Sequence, residues 1–220
     1  MSRRSESTAA FTLMELMLAL SITSVIGLTV GSVAVALSHA QSHTDQLSES
    51  VQSGRGGLLA IESHVRKAKL VTAVETNGLV LWLGDANADG KINVDELAMI
   101  SHDGDSREVR LSKLSFPKTL SPTMLEMLNV SRTLSAVDTI SDVSSELDRG
   151  IYVGYVAVSP LAINVARFEV VTDAAPPLSR LVGLRITVGT EGGRQVSLVS
   201  SARLRDDETA NVSSYTDGSN

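Results

Sequence analysis

The stretch "AAFTLMELMLALSITSVIGL", residues 9–28, carries a single acid, Glu15, at the head of a long apolar run. Residues 16–37 (LMLALSITSVIGLTVGSVAVAL) continue without any charge. At ~1.5 Å per residue, a helix of that length covers about the ~30 Å hydrocarbon thickness of a bilayer. The start, MSRRSESTAA, is polar and carries Arg3 and Arg4, which place the N-terminus on the cytoplasmic side by the positive-inside bias. Everything beyond residue 37 is then expected outside the cytoplasm. A secretory signal is the simpler reading, and Ser38-His39-Ala40 offers a small-x-small cleavage site. A signal core, however, typically runs about 7–15 residues, and this run is longer. A carboxylate beside hydrocarbon is also costly, and usually has a partner or a function.

The block AFTLMELMLALSI resembles the prepilin signal of type IV pilins and type II secretion pseudopilins. That signal is a short basic leader, a small residue at the cut, Phe, then Thr-Leu-x-Glu-Leu and an apolar helix. The resemblance implies cleavage between Ala10 and Phe11 by a prepilin peptidase and N-methylation of Phe11. It further implies that Glu15 faces the freed amine of a neighbouring pilin or pseudopilin subunit during assembly. The family usually has Gly before the cut, where this chain has Ala10. More loosely, VARFEVV…LVGLRITVG…RQVSLVSSARLRD resembles minor pilin-like proteins of the type II secretion J or PilW-like kind. The implied fold is α+β: a long N-terminal transmembrane and amphipathic helix packed on an antiparallel β-sheet head.

Composition narrows the alternatives. The 220 residues are 43% hydrophobic but only 3% aromatic, so the expected core is Val, Leu, Ile and Ala. The formal net charge is -6, with no recurring Lys/Arg cluster, which argues against nucleic acid as a partner. The absence of cysteine excludes disulfides, thiolate metal sites and a Cys nucleophile.

After the apolar run, Leu47, Val51, Leu58, Ile61, Val65 and Ala68 recur at helical spacing, continuing the first helix through residues 38–70. SGRGG (53–57) reads as a bend or weak point within it. The head is expected over 71–205. There GLVLWL (78–83) reads as a buried strand, and REVRLSKL (107–114) as an alternating one with Val109, Leu111 and Leu114 inward. Ser121-Pro122 starts a short helix. VSSELDRG forms another, closed by Gly150. GIYVGYVAV and INVARFEVV read as strands. GLRITVG and RQVSLVSSARL form a closing hairpin that turns at Gly192-Gly193. Residues 206–220 read as a polar, disordered tail, and residues 1–10 as the leader.

DANADGKINVDE, residues 85–96, matches a twelve-residue calcium loop at each diagnostic position. Asp85, Asn87 and Asp89 supply side-chain oxygens at alternate positions, and Gly90 permits the sharp turn. Lys91 offers its backbone carbonyl, Asn93 acts through water, and Glu96 chelates with both oxygens. Ile92 is the apolar residue that ties such loops to a neighbouring strand. Only DELAMI (95–100) is available as an exiting helix, so the loop is single and its expected role is structural. A calcium clip would stand in for the missing disulfides.

No Gly-x-Ser-x-Gly elbow, phosphate-binding glycine loop or acid/base pair occurs, and no enzymatic activity is expected. His39 and His43, four residues apart, read as a solvated pair. The expectation is therefore a structural subunit of a type II secretion pseudopilus or type IV pilus-like filament. It sits in the inner membrane as a single-pass protein, N-terminus cytoplasmic and head periplasmic or extracellular, with calcium in the head. The alternative is a secreted or membrane-anchored calcium-binding adhesion or docking module, in its secreted form released after Ala40.

Overall fold

The structure, a computed structural model, describes residues 12–134, 137–189, 193 and 195–205. The chain forms two compact units, Met1–Asp45 and Gln46–Asn220, and helix α1 (Leu13–Lys67) contributes to both.

In the first unit, α1 is long and apolar enough to cross a membrane. Its most apolar 18-residue window has a mean hydropathy of 2.0, and none of it is buried. Leu16, Met17, Leu18, Leu20 and Ile22 are all exposed. Such an apolar surface is larger than a water-soluble monomer normally tolerates. The hydroxyls on this stretch are satisfied by their own helix: Ser21 donates to the Met17 carbonyl at 2.8 Å, Thr23 to Ala19 at 2.7 Å and Ser24 to Leu20 at 2.8 Å. A hydroxyl with an internal acceptor leaves no unpaired group for lipid to penalise.

The second unit is α+β. Ser50, Gly54, Gly57, Leu58, Ile61, Glu62 and Val65 line the buried stripe of α1, at the three- and four-residue intervals of one helix face. A five-stranded antiparallel sheet runs in the order β1 (Leu70–Glu75), β2 (Gly78–Trp82), β4 (Leu97–Asp103), β5 (Glu108–Leu114), β7 (Val156–Ala162). A three-stranded antiparallel sheet has the order β10 (Gln195–Arg203), β9 (Leu181–Gly189), β8 (Val165–Thr172). A two-stranded ladder joins β3 (Ile92–Asn93) to β6 (Ser131–Arg132). Two short helices, α2 (Pro122–Leu128) and α3 (Ile140–Leu147), lie between β5 and β7.

The five-stranded sheet is covered on both faces. Leu79 and Leu81 of β2 join Ile61 and Val65 of α1, with Phe168, Leu184 and Ile186 of the three-stranded sheet, in a first core. Val80 and Trp82 point the other way, into a second core with Ile92, Val94, Leu97, Val143, Leu147 and Tyr152. This explains why β2 is apolar throughout. The first core is aliphatic, as composition predicts, except for Phe168. The second gathers scarce aromatics, Trp82 and Tyr152, with Phe116 and Tyr155 packed against it; the Phe116 and Tyr155 rings meet edge-on at 5.4 Å.

Several expectations are corrected. SGRGG is neither bend nor break: α1 runs through it. A Cβ at Gly57 would lie 2.6 Å from the Ala162 Cβ and 2.8 Å from the Leu161 carbonyl oxygen, and one at Gly54 would lie 2.9 Å from Leu198. The two glycines let the helix backbone approach the strands. Residues 97–100 of DELAMI form no exiting helix. One 3-10 turn, Val94–Glu96, leads directly into β4, because Ala98 and Ile100 fill the first core while Leu97 and Met99 fill the second. Leu114 joins the second core, opposite Val109 and Leu111, because residues 109, 111 and 114 do not share one parity along a strand.

α3 ends at Leu147, and Gly150–Tyr152 is a separate 3-10 turn, so the strand expected across 150–158 begins only at Val156. α1 ends at Lys67, short of the expected residue 70, and Leu70–Glu75 is β1, a strand of which residues 71–75 carry no assignment by pattern. As expected, Ser121 caps α2, its Oγ accepting from the Met124 amide at 3.3 Å, and β9 and β10 form an antiparallel hairpin. Gly192 of its turn, the leader and the tail lie outside the described residues.

Candidate functional site

Two groups of candidate residues belong to different units. At the head of α1, Ala10 and Phe11 lie outside the described residues. Glu15 is described, exposed, and engaged by Thr12. The Thr12 amide and hydroxyl both donate to Glu15 Oε2 at 3.0 Å. The Glu15 amide donates back to Thr12 Oγ1 at 3.3 Å. This reciprocal pair is a capping box: a Thr N-cap and a Glu three residues on satisfy otherwise unpaired helix N–H groups. The carboxylate also lies at the positive end of the helix dipole. The spacing Thr12-x-x-Glu15 was visible in the sequence and carries this local role for Glu15. His39 and His43 are both exposed on the same helix.

The second group is the loop 85–96. Its turn depends on Gly90, at φ +73°, following Ala88 at φ +59°, the left-handed region that glycine enters without strain. Asp85 Oδ1 accepts from the Asp89 amide at 3.0 Å, and its Oδ2 accepts from the Gly90 amide at 2.7 Å. Asn87 Oδ1 accepts from the Asp89 amide at 3.1 Å, and Asp89 Oδ1 from the Lys91 amide at 2.8 Å. The three alternate side chains thus fold over the loop's own amides. Lys91 itself is exposed. Glu96, buried, reaches back across the loop: its Oε1 accepts from the Ala86 amide at 2.6 Å, and its Oε2 from the Asn93 amide at 3.1 Å and the Trp82 indole at 2.9 Å.

Asp89 Oδ2 receives the amide NH2 groups of Asn87 at 2.9 Å and Asn93 at 3.0 Å. Burial pushes the Asp89 carboxyl up, but bonds from Asn93, Lys91 and Asn87 outweigh it and hold the group below its ordinary value. Asp89 is therefore charged at neutral pH. Asp95 behaves oppositely. Burial raises its carboxyl, the Asn129 side chain opposes this, and the charges of Glu96 and Asp89 add to the rise. Its Oδ1 is buried without a hydrogen-bond partner.

Among the described residues, no three His, Asp or Glu side chains converge as a ready metal cluster. The donor chemistry nonetheless fits a hard cation: the loop offers carboxylate and amide oxygens only. The Asn87 and Asn93 side chains each carry an oxygen that a half-turn of the amide exchanges with the NH2 now facing Asp89. Ile92 ties the loop to a neighbouring strand, pairing with Arg132 of β6, while Asn93 pairs with Ser131. Trp82 and Asn129, which anchor Glu96 and the Asp95 amide, carried no signal in sequence, since both are brought in by distant strand and helix packing.

No family model, no curated protein and no solved structure matches the chain.

Proposed function

We propose that this chain is a structural subunit of a type II secretion pseudopilus or type IV pilus-like filament, of the minor kind. A prepilin peptidase cuts between Ala10 and Phe11. The apolar part of α1 holds the subunit in the inner membrane, N-terminus cytoplasmic and head outside, until it assembles with other pilin or pseudopilin subunits. The observation that carries the reading is the conjunction of FTLMEL with a 55-residue helix. That helix is bare and apolar early, and buried against antiparallel strands late.

The chemistry follows from Glu15. Within one chain, Thr12 satisfies part of the carboxylate's hydrogen-bonding capacity. Removal of the leader frees the Phe11 amine. In an apolar helix bundle, that amine on one subunit and the Glu15 carboxylate on the next neutralise each other, and an unpaired charge of either sign is penalised. Glu15 thus selects for correctly staggered neighbours.

In the head, we assign calcium to the loop 85–96, with Asp85, Asn87, Asp89, the Lys91 carbonyl, Asn93 and Glu96 as its holders. When bound, calcium supplies a fixed positive centre that cross-links the two ends of the loop. The chain's own residues turn the loop and keep Asp89 charged, and Glu96 is anchored on Trp82.

Mass spectrometry of the mature N-terminus tests the reading. Methylated Phe11 is the expected first residue. Retention of the leader overturns the proposal, and a start at Gln41 favours the secreted calcium-binding module.

A further inference from the structure

We propose that the loop 85–96 is the ordering device for the insertion between β5 and β7, so that calcium occupancy sets how firmly residues 116–155 are held to the head. This rests on the calcium assignment above and goes beyond it, because it names what the site controls.

The insertion has little of its own to hold it. α2 spans seven residues and α3 eight, and α2 buries none of its side chains. Helices this short are marginal alone. The insertion borrows order from the loop at three points. First, β6 pairs only two residues, and their partners are Ile92 and Asn93; Asn93 is thus a candidate ligand through its side chain and a ladder partner through its backbone. Second, the Asp95 amide donates to Asn129 Oδ1 at 3.4 Å, and Asn129 is the C-cap of α2. Third, Ile92 and Val94 share the second core with Leu134, Val137, Val143, Leu147 and Tyr152 of the insertion.

Inside the insertion the links continue. Arg132 of β6 bridges to Glu146 of α3. Tyr152 donates to the Leu128 carbonyl at 3.0 Å and to Glu146 at 3.3 Å. A change at β3 is therefore passed to both helices.

The first core, in contrast, is built without a side chain from 85–96. Opening the loop costs the insertion its ladder, its α2 contact and part of its core, while α1 and β8–β10 keep theirs. Binding free energy at the loop then appears as protection of 116–155, because any ligand that binds only the closed form suppresses local opening.

The test uses the full chain in detergent micelles, with calcium chloride as the only added ligand and a chelator as reference. Calorimetry measures binding, and amide hydrogen exchange is read by segment. We expect calcium to slow exchange by ~10-fold or more across 116–155 and by less than ~2-fold across β8–β10. Asn129→Ala is expected to keep calcium binding but to lose at least half of the response in α2.

Absence of calcium binding overturns the calcium assignment itself. Binding with protection confined to 85–96, or spread equally over β8–β10, overturns the coupling and leaves the assignment standing. An unchanged α2 response in Asn129→Ala also overturns it.

Discussion

The Trp82 indole donates to Glu96 Oε2 at 2.9 Å, inside the protein and across fourteen residues of chain. It joins the last residue of β2 to the last residue of the candidate calcium loop. Glu96 is 4% exposed and Trp82 1%, so neither group has water as a substitute partner.

Trp82→Phe should therefore destabilise the head by at least about 1 kcal/mol, through the lost hydrogen bond and the core volume that the smaller ring leaves unfilled. Urea unfolding followed by circular dichroism measures it. A loss within error of zero would mean that Glu96 is held by the Ala86 and Asn93 amides alone.

Gly57 and Gly56 should respond in opposite directions. A Cβ at Gly57 meets the Leu161 carbonyl oxygen at 2.8 Å, whereas one at Gly56 meets nothing within 4 Å. Gly57→Ala is expected to cost about 1–3 kcal/mol through overpacking. Gly56→Ala should stabilise by about 0.5–1 kcal/mol through helix propensity. Equal midpoints for the two variants would refute close approach as the reason for the glycine.

Glu15 separates into a cap and a charge. Glu15→Gln retains an oxygen acceptor for Thr12 but removes the charge, while Glu15→Ala removes both. If pairing with a neighbour's amine drives assembly, both variants lower crosslinked-filament yield by ~10-fold or more, a typical coupling between sites. Normal yield for Glu15→Gln alongside loss for Glu15→Ala would leave only the capping role.

Removal of calcium should lower the unfolding temperature. At a hundredfold excess over Kd the ion contributes about 2.7 kcal/mol, which corresponds to a fall of roughly 5–10 °C on chelation for a chain of this size. Asp85→Asn combined with Glu96→Gln should unfold at one temperature with or without the ion. A wild-type melting curve indifferent to chelator argues against the clip.

Acid should loosen the insertion through Glu146. Burial pushes this carboxyl up, but its bonds and charge interactions with Arg132 and Arg149 hold it below the ordinary 4.5. A depressed carboxyl contributes stability that is complete above the unfolded value and lost as pH falls through the folded one. Wild-type stability should therefore decline below about pH 4.5, with Glu146→Gln showing a shallower decline from a lower plateau. Parallel pH profiles would exclude Glu146 as a source of that decline.

What the sequence determined by itself was local. The charge-free run of 16–37, the apolar stripe through Leu58, Ile61 and Val65, the alternation of β5 and the oxygens of 85–96 are all periodicities or spacings within a few residues. Helix rise and strand pleat alone decode them. Thr12-x-x-Glu15 is a spacing of the same local kind, but its role as a cap emerges only from the bonds in the structure.

Tertiary structure decided the rest, because its causes lie far along the chain. Gly54 and Gly57 read as helix breakers until Leu198 and Ala162 are laid against them. Residues 97–100 carry no pattern that separates helix from strand, and the choice falls to β4 because β2 and β5 offer hydrogen bonds on either side and cores above and below. Nothing near Asn93 announces Ser131, nor anything near Trp82 its bond to Glu96. Such pairings repay their loop-closure entropy only when the whole sheet forms, so no window of neighbouring residues contains them.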